Sequence, residues 1–211
     1  MSATLYTHPM SSNARKASFM NRALEFGATE VNVALETGDN RSPEFLQINP
    51  NGMVPALVDG DFKLWESNAI IKYMAAKQGE LDWVGSDAMQ SANVDRWLHW
   101  QSAHWGPKIA ALNWERTLKK MFANQDPDAA AVQAAEEQLT KWCEVLNQEL
   151  DAKLWVAGDT MTVADVALAM SADTQAWSQW SFEKWPNVQQ WLDRARQHQA
   201  WAAFPSPPAP N

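Results

Sequence analysis

Two neighbouring stretches carry side chains suited to holding a small charged ligand. Asn49-Pro50-Asn51-Gly52-Met53-Val54-Pro55-Ala56-Leu57 runs from a turn into an apolar, strand-like segment. After the polar turn Asp59-Gly60-Asp61 comes Phe62-Lys63-Leu64-Trp65-Glu66-Ser67. Asn-Gly is a strong turn signal because glycine accepts positive φ. Pro55 cannot donate to a ladder, so it marks the first residue of a strand or a special turn, a cis one included. Glu66-Ser67 ends the second strand and opens a helix. A carboxylate and a hydroxyl there either cap the helix or bind a ligand at its positive end. Other reactive side chains read as structural. Cys143 falls on an apolar helix face and belongs to the core. His99 and His104 are five residues apart rather than four, with no acidic ligand pattern, so no metal site is expected. Thr162 and Asp165 have the spacing of a capping box, with Asp in place of Glu, which is a folding signal rather than a chemical one.

The elements around these stretches follow from pattern and punctuation. Thr4-Leu5-Tyr6-Thr7 reads as a strand, broken by His8-Pro9-Met10-Ser11-Ser12. Ser12 or Asn13 caps a helix to about Phe26, with Ala17, Met20 and Leu24 on one face, and Gly27 stops it in the C′ position. Thr29 to Val33 alternates like a strand. Pro43 starts a short helix ending near Ile48, and the helix opened by Glu66 runs to about Lys77. The order β-α-β-α-β-β-α is a parallel βαβ unit followed by a hairpin and a covering helix. The rest reads as helical. Val94, Trp97, Leu98 and Trp105 form a stripe interrupted at Gly106-Pro107, and a helix covers Ile109 to Phe122. Asp126-Pro127 starts a long helix with Val132, Ala135, Leu139, Trp142, Cys143, Leu146 and Leu150 on one face. Pro186 opens another. The expected division is an α/β domain over 1–78, a linker over 79–86, an all-α domain over 87–204 and a Pro-rich, extended tail over 205–211.

Composition excludes several classes. A net charge of −8 argues against nucleic acid as the main partner. No long uncharged apolar run implies a membrane span, and no basic segment followed by an apolar core implies secretion. A single cysteine among 211 residues leaves no internal disulfide framework, so a reducing cytoplasm is the default compartment. Twelve of the thirteen tryptophans lie from Trp83 onward, which marks two regions with different work.

Three features together give the chain a resemblance to the cytosolic glutathione transferases along almost its whole length. They are the strand-loop-helix Leu5 to Lys16 with Ser11 four residues before Arg15, Asn49-Pro50-x-Gly52-x-Val54-Pro55 followed by Glu66-Ser67, and Gly158-x-x-x-Thr162-x-Ala164-Asp165. The serine pattern is similar to that of bacterial and of phi- and theta-like members. The resemblance implies a thioredoxin-like N-terminal domain, an all-helical C-terminal domain, a homodimer, glutathione as co-substrate without a metal, and a small hydrophobic electrophile.

It also implies roles, residue by residue. Val54 would pair its backbone with the cysteinyl part of glutathione beside a cis Pro55. Glu66 and Ser67 would hold the γ-glutamyl amine and carboxylate, and Arg41 the glycine carboxylate. Met53 stands where Gln or Lys often adds a polar contact. Tyr6 does not match the tyrosine that some classes use and faces the core. Ser11 matches the activating serine, with Ser12 and Asn13 as close alternatives. No cysteine lies in this loop, which disfavours mixed-disulfide chemistry. The implied reaction is thiolate attack on carbon, helped by a hydroxyl hydrogen bond and a helix N-terminus. Met10, His104 and Trp105 are the candidates for the electrophile pocket. The alternatives are a specialised relative (a dehalogenase, an isomerase or an ether-cleaving enzyme) and a non-enzymatic interaction or stress-regulator module of the same fold.

Overall fold

A computed structural model describes residues 3–203; the Pro-rich tail expected at 205–211 lies outside them. The chain divides into two compact units, Met1–Val84 and Gly85–Asn211.

The first unit is the expected thioredoxin-like α/β domain. Its sheet has the order β2-β1-β3-β4, built from β1 (Thr4–Thr7), β2 (Thr29–Asn32), β3 (Ala56–Asp59) and β4 (Phe62–Trp65). β1 and β2 are parallel, joined through α1 (Ser12–Ala23). β1 pairs antiparallel with β3, placing Leu5 opposite Leu57, and β3 pairs antiparallel with β4. Gly60, at φ 62, makes the tight reversal between β3 and β4. α2 (Pro43–Leu46) is capped by the Ser42 hydroxyl, and α3 (Ser67–Gln78) ends in Gly79 at φ 74. Leu5, Ala17, Phe19, Met20, Leu57, Ile70 and Met74 are completely buried. Val33, Phe45 and Ala56 form a second cluster, with Tyr6, Ile48 and Val54 packed on it. Tyr6 meets Phe45 edge to face at 5.8 Å, so it faces the core as expected.

α1 departs from the sequence reading at both ends. Its cap is Ser11 rather than Ser12 or Asn13, because Ser11 Oγ accepts the Ala14 N–H. It stops at Ala23, short of Phe26. Asn21 explains the early stop, since its side-chain amide donates to Ala28 O at 3.0 Å and accepts from Ala28 N at 2.9 Å. That pair pulls the chain back toward β2, and Glu25 takes a left-handed φ of 49 to make the turn. Gly27, at φ 79, lies in the connection rather than at C′.

The second unit is helical, with α4 (Ala88–Trp100), α5 (Gly106–Asn113), α6 (Lys119–Ala123), α7 (Ala129–Glu149), α8 (Val163–Ala172), α9 (Gln175–Ser178) and α10 (Pro186–Arg196). Gly106-Pro107 does not break the first of these. A π-helical turn over Gln101–Trp105 joins α4 to α5, and a second over Trp114–Leu118 joins α5 to α6. A widened turn just ahead of Pro107 accommodates a residue with no N–H to donate. α7 begins at Ala129, later than Asp126-Pro127, because Asp128 is the cap and accepts from Ala130 and Ala131. Thr162 and Asp165 form the expected capping box. The Asp165 carboxylate is completely buried and accepts from Val156 N at 3.0 Å, Thr162 N at 2.9 Å, Thr162 Oγ1 at 2.9 Å and Trp191 Nε1 at 2.9 Å. It ties the loop before α8 to α10. Burial pushes its pKa above the usual carboxylate range, and these hydrogen bonds oppose the shift.

Candidate functional site

Ser11 is held by the loop that leaves β1. The His8 carbonyl accepts the Ser11 N–H at 3.1 Å, and His8 Nδ1 accepts the Met10 N–H at 3.3 Å. His8 Nε2 faces Glu36 Oε2 at 3.5 Å, which ties this loop to the segment after β2. Ser11 Oγ accepts the Ala14 N–H at 3.2 Å. The cap uses a lone pair and leaves the hydroxyl proton to donate elsewhere. The first turn of α1 holds no acidic residue, so no local carboxylate offsets the positive end of the helix dipole.

The turn ahead of β3 is pinned by asparagines. Buried Asn49 donates to Met53 O at 2.6 Å and accepts the Asn51 N–H at 3.0 Å. Asn40 donates to Gly52 O at 2.7 Å, and Arg41 Nη1 donates to Asn51 O at 3.3 Å. Gly52 sits at φ 61, and a Cβ there would stand 2.7 Å from Arg41 Nη1 and 2.9 Å from Asn40 O. The Val54–Pro55 bond is cis.

The start of α3 is unusual. Glu66 has φ 73 and ψ 111, a region that L-residues rarely adopt. Its side chain makes no capping bond and is exposed. The carboxylate is therefore not consumed by the helix. A strained backbone of this kind costs on the order of 1–3 kcal/mol and persists where the surroundings hold it. Ser67, the first residue of α3, is 8% exposed. Its hydroxyl donates to Asn13 Oδ1 at 3.4 Å and accepts from Lys16 Nζ at 3.4 Å. Lys16 also donates to Asn68 Oδ1 at 3.2 Å. The first turns of α1 and α3 thus lie side by side. Lys16 is 1% exposed, and burial pulls its pKa down to about 7 against the opposing field of Glu66.

Asn13 and Ser67, both singled out in the sequence, are therefore brought together. Ser12 lies half-buried in the first turn of α1, Met10 is half-buried, Pro55 is buried, and Val54 packs on the Phe45 cluster. Met53 is 64% exposed. In the helical unit His104 packs on Trp142 with ring centroids 4.6 Å apart. Trp105 is completely buried, stacks on Phe182 at 5.7 Å and donates its indole N–H to Leu168 O at 3.1 Å. It is a core side chain of that unit rather than an open pocket wall. Lys16 was not among the residues singled out in the sequence. The signal was present, since Lys16 stands four residues before Met20 and so shares its apolar face.

Comparison with known proteins agrees with this architecture. Residues 1–76 match the sequence model of the glutathione S-transferase N-terminal domain, and residues 108–198 that of the C-terminal domain. Glutathione S-transferase 3 of Zea mays is 34% identical over 98% of this chain and 96% of its own length. Glutathione S-transferase GstB of Escherichia coli (strain K12) is 32% identical over 93% of this chain and 94% of its own. A solved glutathione S-transferase-I bound with the ligand lactoylglutathione has a TM-score of 0.88 at 25% identity, covering 97% of this chain and 98% of that one. The chain belongs to the glutathione S-transferase family.

Proposed function

We propose that the first unit binds glutathione and that Ser11 stabilises its thiolate for attack on a small hydrophobic electrophile. The observation that supports this reading is that the Ser11 hydroxyl caps α1 through a lone pair, which leaves its proton available to a bound sulfur. An ordinary thiol with a pKa of about 8.5 is only a few per cent ionised at neutral pH. One hydroxyl donor together with the positive end of α1 favours the anion. A shift of about two pH units corresponds to roughly 2.7 kcal/mol of thiolate stabilisation. The thiolate then adds to, or displaces a leaving group from, an electrophilic carbon, and no covalent bond to the protein forms. Ser12 is less suited to the role because it lies inside the first helical turn; Asn13, whose Oδ1 accepts from Ser67, still has amide donors and is the alternative to Ser11.

The rest of the tripeptide is assigned by charge. The exposed Glu66 carboxylate suits the γ-glutamyl ammonium, and the Ser67 hydroxyl and N–H at the start of α3 suit its carboxylate. The backbone of Val54, just ahead of the β3 register, would pair with the cysteinyl residue. Arg41 spends one donor on Asn51 and has others in its guanidinium for the glycine carboxylate. The protein would act in the cytoplasm as a homodimer. Among the described residues no helix is long and apolar enough to cross a membrane. The edge strand β4 exposes Phe62 and Trp65, a surface of the kind that a second copy covers.

Retention on immobilised glutathione, followed by turnover of glutathione with a chlorodinitrobenzene, tests the reading. Binding and turnover are both expected. Loss of both would favour a non-enzymatic interaction module.

A further inference from the structure

We propose that His8 is a positioning residue for the transfer reaction, setting the place of the Ser11 hydroxyl and fastening its loop to the segment that pins the turn ahead of Pro55. The inference rests on the reading of Ser11 as the group that meets the thiol. Between β1 and α1 the chain reverses over His8-Pro9-Met10-Ser11, closed by the Ser11 N–H on the His8 carbonyl at 3.1 Å. Proline in the second position has no N–H and favours such a turn. The Met10 N–H is left, and His8 Nδ1 accepts it at 3.3 Å. One residue therefore holds both N–H groups that lead into the helix cap. Asp and Asn fill this place in ordinary turns, through the same bond to the N–H two residues on. Histidine makes that bond and has a second ring nitrogen to spare.

That second nitrogen is the reason for a histidine. Because Nδ1 accepts, the proton of the neutral ring sits on Nε2. Nε2 faces the Glu36 carboxylate at 3.5 Å, and the His8 side chain is only 9% exposed. Glu36 lies in the turn after β2, where the Gly38 N–H meets Leu35 O at 3.2 Å and the Asp39 N–H meets Ala34 O at 3.1 Å. The chain then passes directly into the short 3₁₀ helix Asp39–Arg41. Asn40 and Arg41 are the residues that hold Gly52 O and Asn51 O. A continuous path of contacts thus runs from the loop of Ser11 to the turn ahead of Pro55. An asparagine at position 8 would close the first turn but carries no group at the place of Nε2.

The tautomer is read first, on the unaltered protein. Nitrogen-15 resonances of the imidazole should place the His8 proton on Nε2; a proton on Nδ1, in a neutral or a charged ring, overturns the proposal. Turnover of glutathione with a chlorodinitrobenzene, and the apparent pKa of bound glutathione from thiolate absorbance, then read the function. His8→Leu keeps the bulk and removes both nitrogens. It should lose about tenfold in turnover, with the thiol pKa raised by about one pH unit. His8→Asn restores the acceptor for the Met10 N–H, so it should bring the thiol pKa back and recover most of the turnover. It still lacks the tie to Glu36, so its Michaelis constant for glutathione should stand about two- to fourfold high. Glu36→Ala should raise that constant by the same factor, and the two changes combined should raise it no further. An unmoved thiol pKa in His8→Leu, or an equal rise in His8→Asn, overturns the placing of Ser11 by His8. An unchanged Michaelis constant in Glu36→Ala, or additive effects in the combined variant, overturns the tie. If Ser11→Ala also leaves the thiol pKa unmoved, the reading of Ser11 fails and takes the proposal with it; if Ser11→Ala raises it, only the part given to His8 falls. Neither the tautomer nor the two milder variants depends on His8→Leu folding.

Discussion

Ser11 Oγ accepts the Ala14 backbone N–H at 3.2 Å, so the hydroxyl serves folding through its lone pair while its proton stays available for the chemistry proposed for it. The two uses can be separated by substitution. Aspartate caps a helix as well as serine does, but an ionised carboxylate has no proton to give and repels a thiolate. Ser11→Asp should keep its melting temperature and lose at least tenfold in turnover. Ser11→Ala should lose both, with about 1 kcal/mol of stability gone along with the cap. The apparent pKa of bound glutathione, read from thiolate absorbance against pH, should rise in both variants. Retention of the low pKa in Ser11→Asp would move the role to Ser12 or Asn13.

The punctuation of the first unit was plain in the sequence because its causes are local. Gly52 and Gly60 stand where the backbone needs positive φ, and Pro55 stands just ahead of β3. Features set by distant contacts were not legible. α1 has helical periodicity past Ala23 and stops because Asn21 finds Ala28, a pairing made only once β2 docks. The π turn at 101–105 uses the same residue types as an α turn, so periodicity could not reveal it. Trp105 read as a pocket candidate because an aromatic stripe looks alike whether it faces a cavity or a packed interior, and its hydrogen bond to Leu168 decides the matter. Lys16 carried a local signal, its place on the Met20 face, but the groups it meets on α3 did not show in the sequence.

Gly52 tests the geometry of the turn that leads into Pro55. Its φ of 61 and the 2.7 Å and 2.9 Å approaches of Arg41 Nη1 and Asn40 O leave no room for a methyl group. Gly52→Ala should destabilise the protein by about 1–3 kcal/mol, combining the positive φ with displacement of Arg41. Because Asn40 and Arg41 both hold this turn, the Michaelis constant for glutathione should rise more than turnover falls. Urea unfolding and steady-state kinetics read the two effects, and an unchanged Michaelis constant would detach the turn from the binding site.

Asp165 gathers donors from Val156, Thr162 and Trp191 with no exposure to solvent. Removing the acceptor strands buried N–H groups on two segments at once. Asp165→Ala should cost about 3 kcal/mol or more in chemical denaturation. Asp165→Asn should recover only part, since its amide turns two donors toward groups that are themselves donors. Neither variant should alter the apparent pKa of bound glutathione in whatever fraction folds, because the carboxylate serves the helical unit. A shifted thiol pKa in the folded fraction would give Asp165 a part in the chemistry.

Lys16 makes stability itself depend on pH in a direction that can be worked out. Its folded-state pKa of about 7 lies below the 10.5 of an unburied lysine. Below pH 7 both states hold the proton, and the folded state bears the whole cost of burying it. Between pH 7 and about 10.5 the unfolded chain keeps a proton that the folded protein has shed, so unfolding free energy rises with pH across that window. Lys16→Met removes the titrating group and leaves every other ionisable residue in place. The unaltered protein should therefore gain about 2–3 kcal/mol relative to Lys16→Met between pH 6 and pH 9, with most of the change above pH 7. Parallel denaturation curves at the two pH values measure the difference directly. A constant gap between the two proteins would show that the Lys16 ammonium is as well solvated in the folded protein as in the unfolded chain.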